Sequence, residues 1–202
     1  IALEGKFLRR PISVSDYDEK TITLIYKVVG AGTKQMSAMQ AGEKLDLLTG
    51  LGNGFDTSKA AERNLLVGGG VGVPPLYNLA KKLLAEGRQV TVILGFNTAE
   101  EIFYVEEFKA IGTKVIVTTV DGSFGVKGFV TALIPEGAYV CACGPEPMLK
   151  AVFNALDCPG QLSFEARMGC GFGACMGCTC ETISDYKRIC RDGPVMRKEE
   201  LL

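Results

Sequence analysis

The chain of 202 residues is close to electroneutral, with 22 Lys and Arg against 23 Asp and Glu, and it contains no histidine. Near balance removes any general electrostatic pull toward nucleic acid or an anionic bilayer, and the missing histidine excludes His-based acid–base catalysis and His metal ligation. An apolar content of 47% suits one large or two small packed domains, and no apolar run approaches the roughly 20 residues of a membrane span. No signal-peptide pattern is visible, which says nothing of targeting in a chain that does not open on Met; the cytoplasm is a separate expectation. The chain begins on Ile1 rather than Met, so residues preceding it are expected to be missing from this sequence.

Residues 1–57 read as β structure. TITLIYKVV (Thr21–Val29) alternates Ile22, Leu24, Tyr26 and Val28 with Thr21, Thr23 and Lys27, which predicts a strand. Glycines at Gly30–Gly32 and Gly50–Gly54 punctuate it, and the polar stretch Thr57–Arg63 is the candidate linker. The rhythm then changes to strand–helix alternation. Strands are predicted at Asn64–Val67, Val90–Leu94, Val115–Val120 and Ala138–Cys143. Helices are predicted around Leu76–Leu84 with a stop at Gly87, and at Ala99–Ala110, Phe129–Ile134 and Pro147–Leu156. Such alternation predicts a doubly wound parallel sheet. From Gly160 a last strand, QLSFEARM, leads into a cysteine-rich tail. The expected organisation is therefore 1–57, 58–159 and 160–202.

Two glycine loops sit where strands run into helices. GGGVGVPP (Gly68–Pro75) lets a pyrophosphate approach amides at a helix start, although Gly70-x-Gly72 departs from G-x-G-x-x-G and a plain tight turn would read alike. CGPEPM (Cys143–Met148) repeats the strand-to-helix context, so the two loops predict a ligand crevice at the carboxyl edge of the sheet. Upstream, Arg9, Arg10 and Ser13 in LRRPIS offer phosphate-binding chemistry, as would any solvated basic turn.

Five of the eight cysteines lie between 170 and 190. Cys170-x4-Cys175-x2-Cys178, with Cys190 after eleven more residues, is the spacing of plant-type [2Fe–2S] ligands. The interleaved Gly169, Gly171, Gly173 and Gly177 allow a loop to wrap with its amides toward the sulfurs. A Zn(Cys)4 site or a pair of disulfides would draw on the same residues. Cys180 falls outside the spacing and reads as non-ligating, while Cys141, Cys143 and Cys158 read as ordinary buried thiols.

Together, R-P-I-S at Arg10–Ser13, G-G-G-x-G-x-x-P at Gly68–Pro75 and C-G-P at Cys143–Pro145 resemble the ferredoxin–NADP reductase superfamily. The run EARMGCGFGACMGCTCET…YKRICRDGPV (Glu165–Val195) closely resembles the electron-transfer subunits of class 1B dihydroorotate dehydrogenases. That resemblance implies a flavin-binding β barrel, incomplete at its N-terminus here by about two strands, joined to a parallel-sheet nicotinamide domain and a C-terminal [2Fe–2S] module. It implies FAD contacts from Arg10, Pro11, Ile12 and Ser13, from Ile25, Tyr26 and Lys27 on the following strand, and from Gly32 and Thr33. It implies nicotinamide-nucleotide contacts from Gly68, Gly69, Gly70, Gly72, Cys143 and Gly144, and cluster ligation by Cys170, Cys175, Cys178 and Cys190. The implied activity is passage of electrons from an FMN-containing dihydroorotate dehydrogenase catalytic subunit, in an α2β2 heterotetramer, to NAD+ in pyrimidine biosynthesis. GFNTAEE (Gly95–Glu101) has acidic side chains and no Arg or Lys for a 2′-phosphate, which favours NAD over NADP. A reductase subunit of another complex, serving ferredoxin, sulfide or an oxygenase, would share these cofactors. A zinc- or cluster-bearing sensor module would lack the flavin.

Overall fold

The computed structural model describes residues 1–137 and 139–202. The N-terminal part contains an antiparallel pair, β1 (Val14–Tyr17) and β2 (Ile22–Leu24), and a helix, α1 (Ala31–Ser37). The expected strand over 21–29 is thus cut to three residues. Val14 pairs with Leu24, and the ladder does not continue to Ser13 and Ile25. Ile25, Tyr26 and Lys27 consequently lie beyond the strand that was expected to carry them. The all-β reading of 1–57 also overlooks α1. Gly30, read as punctuation, is its N-cap, and the Thr33 hydroxyl turns back to accept from the N–H groups of Val29 (2.9 Å) and Gly30 (3.1 Å). Ile1, Leu3 and Met36 form the core of this part, with Ile12, Leu24 and Tyr26 packed on it, and Ala2 bridges to Asp46.

The middle of the chain builds β3 (Arg63–Gly69), α2 (Pro75–Ala85), β4 (Gln89–Phe96), α3 (Val105–Ala110), β5 (Lys114–Thr119), β6 (Val126–Lys127), β7 (Tyr139–Cys143), α4 (Glu146–Ala155) and β8 (Gly160–Ser163). The strand expected from Ala138 is described from Tyr139, Ala138 itself lying outside the described residues. The helix expected over 99–110 is two pieces, a 3-10 turn at Ala99–Glu101 and α3. Between them Tyr104 adopts φ +66, a left-handed conformation that no α-helix continues through. Phe129–Ile134 is likewise a 3-10 turn, Val130–Leu133. The last strand of this part stops at Ser163 rather than running on to Met168, because its partner β7 ends opposite at Cys143.

The tail adds β9 (Thr179–Glu181), β10 (Tyr186–Arg188) and β11 (Val195–Arg197). β9 and β10 pair with each other, while β11 joins the main sheet, whose order is β11-β8-β7-β3-β4-β5-β6. All its neighbours are parallel except β11, which runs antiparallel to β8. Alternate residues of β3 explain the apolar runs: Leu66 faces α2 and Phe108, whereas Leu65 and Val67 face α4. A parallel sheet covered on both faces has no polar side to show in its sequence. The chain leaves β3 toward β4 and later returns to β7 on β3's other side, so the sheet reverses its winding between β3 and β7.

The stretch 57–63, expected to be a linker, is pinned. The Asp56 N–H donates to Gln161 Oε1 at 2.8 Å, Gln161 Nε2 donates back to Asp56 O at 3.0 Å, and the Thr57 hydroxyl donates to Glu86 at 2.9 Å. Further ties join the first part to α2. Asp16 accepts from Asn78 Nδ2 at 2.8 Å and from Lys81 Nζ at 2.8 and 2.9 Å, and buried Ser15 meets the Tyr104 hydroxyl at 3.3 Å.

Candidate functional site

The loops after β3 and β7 leave the sheet side by side at the winding reversal, the position where open α/β sheets bind ligands. They touch through backbone. A Cβ on Gly72 would lie 2.2 Å from the Cys143 carbonyl oxygen and 2.5 Å from the Gly144 nitrogen, and one on Gly144 would lie 3.2 Å from Gly69 N. Gly70 sits at φ +51. Glycine is therefore required in both loops by mutual approach. Gly68, Gly69, Gly70, Gly72, Cys143 and Gly144 come together as expected. The Cys143 side chain is buried, its thiol pushed up to about 11 by burial against a lowering hydrogen bond from Ser163. Cys141 is pushed up to about 12 by burial. Both remain neutral thiols, so what Cys143 presents to the crevice is its peptide.

At the end of β4, Asn97 donates to Glu101 Oε2 from its backbone (3.1 Å) and side chain (2.8 Å), and Lys27 approaches the other oxygen at 3.6 Å. These hydrogen bonds, led by the Asn97 backbone, lower the Glu101 carboxyl below its usual range and keep it anionic. Lys27, expected at the flavin, thus faces the carboxylate at the end of β4.

In the N-terminal part, Arg10 lies across α1: a Cβ on Gly32 would overlap its Nε at 2.0 Å. Pro11, Ile12 and Ser13 lead directly into β1, and Pro11 and Ser13 are exposed. Arg10, Gly32 and Thr33 meet at the start of α1, the Thr33 hydroxyl already engaged by the cap. Arg9 departs from the group, forming a two-bond pair with Asp46 at 2.9 and 3.0 Å.

In the tail the four spaced cysteines form two pairs. Cys170 hydrogen-bonds with Cys175, and its sulfur accepts from the N–H groups of Ala174 (3.2 Å) and Cys175 (3.4 Å). These bonds, led by the backbone of Cys175 and Phe172, hold its thiol down to about 6. Cys190 lies against Cys178, whose sulfur accepts from the Cys190 N–H at 3.4 Å; burial first and then that sulfur push Cys190 up to about 11. Cys170, Cys175, Cys178 and Cys190 form no disulfide. Among the described residues no group of three or more ligating side chains is gathered closely enough to hold a metal ion. The spacing of these four thiols is that of plant-type [2Fe–2S] ligands, and they are the residues that would hold such a group. Cys180, on β9 opposite Lys187, belongs to neither pair.

Residues that the sequence reading missed hold this module. Asn53 donates from its backbone to Gly193 O at 2.6 Å and from its side chain to Arg191 O at 3.1 Å, and Arg188 forks Asp192. Arg188 and Asp192 stand four apart beside Cys190, a spacing that could have signalled the pair.

Comparison with known proteins agrees with this layout. The model of the iron–sulfur cluster binding domain of dihydroorotate dehydrogenase B matches residues 165–202, and that of the oxidoreductase NAD-binding domain matches 66–154. The dihydroorotate dehydrogenase B (NAD+) electron transfer subunit of Fusobacterium nucleatum is 48% identical over 202 residues, covering 93% of this chain and 78% of the relative. The chain belongs to this family of electron transfer subunits. The Bacillus pumilus member is 45% identical over 96% of the chain and 80% of its own length. Among solved structures, that of the NADH-dependent reduced ferredoxin–NADP oxidoreductase, studied for flavin-based electron bifurcation, superposes with a TM-score of 0.85 at 34% identity, over 96% of this chain and 74% of that one. Membership carries the reductase fold: a flavin part, an NAD-binding sheet and an iron–sulfur module. Among the described residues no helix is long and apolar enough to cross a membrane.

Proposed function

We propose that the chain conveys electrons from an FMN-containing catalytic subunit that oxidises dihydroorotate to NAD+, in an α2β2 assembly in the cytoplasm. When bound, the iron–sulfur group supplies one-electron transfer and FAD converts between one- and two-electron chemistry, with NAD+ as hydride acceptor. The observation that carries the reading is the joining of the paired-thiol module to the NAD-binding sheet in a chain 48% identical to a named electron transfer subunit.

The residues divide the work. Cys170, Cys175, Cys178 and Cys190 hold the metal group, with Cys170 already disposed to ionise. β11, hydrogen-bonded to β8, and Asn53, bound to the Gly193 turn, fix that module to both other parts. Gly68–Gly72 and the Cys143–Gly144 peptide receive the nicotinamide nucleotide, and the neutral Cys143 thiol adds no negative charge near its phosphates. Arg10, Pro11, Ile12 and Ser13, with Ile25, Tyr26, Lys27, Gly32 and Thr33, hold FAD, Arg10 supplying charge for its phosphates. Anionic Glu101 opposes a 2′-phosphate and favours NAD. Anaerobic NADH titration of the chain purified with its partner tests this: both the flavin and iron–sulfur absorptions should bleach, and NADPH should do so at least tenfold less efficiently. A colourless protein carrying stoichiometric zinc would refute it.

A further inference from the structure

Arg188 is the most connected side chain of the tail. Its Nε donates to Asp192 Oδ2 at 3.0 Å, its own backbone N–H donates to the same oxygen at 2.9 Å, and Nη2 reaches Oδ1 at 3.4 Å. Nη1 donates at 3.1 Å to the carbonyl of Gly173, in the middle of the Cys170–Cys175 loop. That carbonyl shares its peptide with the Ala174 N–H, which donates to Cys170 Sγ at 3.2 Å. A continuous chain therefore runs from guanidinium to carbonyl to amide to sulfur. Gly173 stands at φ +90 where a Cβ would lie 2.7 Å from Arg191 Cδ, so the loop reaches this turn only through glycine. The next residues complete the closure: the Ile189 N–H donates to Cys178 O at 3.1 Å, and the Cys190 N–H donates to Cys178 Sγ.

We propose that Arg188 is a positioning residue that sets the reduction potential of the iron–sulfur group, by holding the Gly173–Ala174 peptide with its N–H on the Cys170 sulfur. A cation on a carbonyl polarises the peptide and strengthens the hydrogen bond its N–H makes on the other side. Amide–sulfur bonds stabilise the more negative, reduced state of a cluster and raise its potential. The inference rests on the reading of the four thiols as cluster ligands. It does not involve the flavin or nicotinamide residues, so Arg188 variants should keep wild-type FAD content.

The test uses the full chain co-purified with its partner under anaerobic conditions, counting iron and acid-labile sulfide and titrating the cluster with dithionite and mediators while following its EPR signal. Arg188→Gln should lower the potential at unchanged iron content, and Arg188→Lys, which keeps charge but not the fork, should fall between it and wild type. Arg191→Gln removes a charge from the same turn and should leave the potential near that of wild type. Asp192→Asn separates the two effects, because loss of a nearby negative charge alone would raise the potential, whereas loosening Arg188 should lower it. It also decides the matter should Arg188→Gln fail to retain iron. An iron-replete Arg188→Gln with unchanged potential, an equal shift in Arg191→Gln, or a rise in Asp192→Asn would overturn the proposal. Wild-type protein without iron and sulfide would instead overturn the cluster reading beneath it.

Discussion

Replacing Gly72 by alanine should disable the nicotinamide crevice while sparing the other two sites. The added methyl would sit 2.2 Å from the Cys143 carbonyl oxygen, 2.4 Å from its carbon and 2.5 Å from Gly144 N. Ordinary non-bonded contact is about 3.5 Å, so the loops must part by roughly 1 Å. No flexible side chain can absorb this, since every clashing atom is backbone anchored to β7. Overpacking of this kind costs about 1–3 kcal/mol. If most of that falls on the conformation that binds the dinucleotide, affinity drops by roughly 5- to 150-fold, at about 1.4 kcal/mol per tenfold. The assay is stopped-flow reduction of the bound flavin by NADH, with saturation giving the affinity and metal and flavin analysis run alongside. Wild-type NADH affinity and wild-type thermal stability together in Gly72→Ala would refute the apposition of the two loops.

Substitution of Cys175 by serine should abolish the iron–sulfur EPR signal yet leave FAD bound and reducible by NADH; loss of the flavin as well would contradict the division into separate sites. Asp16→Asn tests the tie to α2. Burial acts to raise the Asp16 carboxyl, but hydrogen bonds from Lys81, Asn78 and the backbone outweigh it, so its pKa lies below the ordinary value in the folded chain. A depressed folded pKa contributes stability above the unfolded pKa of about 3.9 that is lost as pH falls through the folded one. Asp16→Asn should therefore cost about 1 kcal/mol near pH 7, or roughly 2–4 °C in melting temperature, and the gap should close toward pH 3; a gap that persists there would be contrary. Iodoacetamide at pH 8 should leave Cys141 and Cys143 unmodified in the native protein and label them only after unfolding. Rapid native labelling of either, seen by peptide mass mapping, would contradict their burial.

The sequence made the sheet legible because strands buried on both faces write continuous apolar runs, and Gly87 marked the end of α2 with φ +76. The two glycine loops were legible for the same local reason, as was the C-x4-C-x2-C spacing. What escaped was decided by partners distant in the chain. The ladder of β2 stops at Leu24 although its own alternating pattern continues, and α1 depends on a threonine cap masked by flanking glycines. The helix over 99–110 breaks at Tyr104, whose left-handed backbone accompanies its edge-on contacts with Tyr77 (5.0 Å) and Phe108 (6.2 Å). Nor does local pattern announce that Val195–Arg197 crosses to β8, or that Asn53 reaches the Gly193 turn. The pairing of thiols needed coordinates as well, because spacing alone serves one metal or two.

The most direct test of the account is to co-express the chain, with any residues preceding Ile1, and its catalytic partner, then follow NADH absorbance anaerobically after adding dihydroorotate and NAD+. The account predicts NADH only when both chains are present. A preparation whose flavin and cluster bleach with NADH, yet which forms no NADH from dihydroorotate, would contradict it and assign the chain to another electron donor.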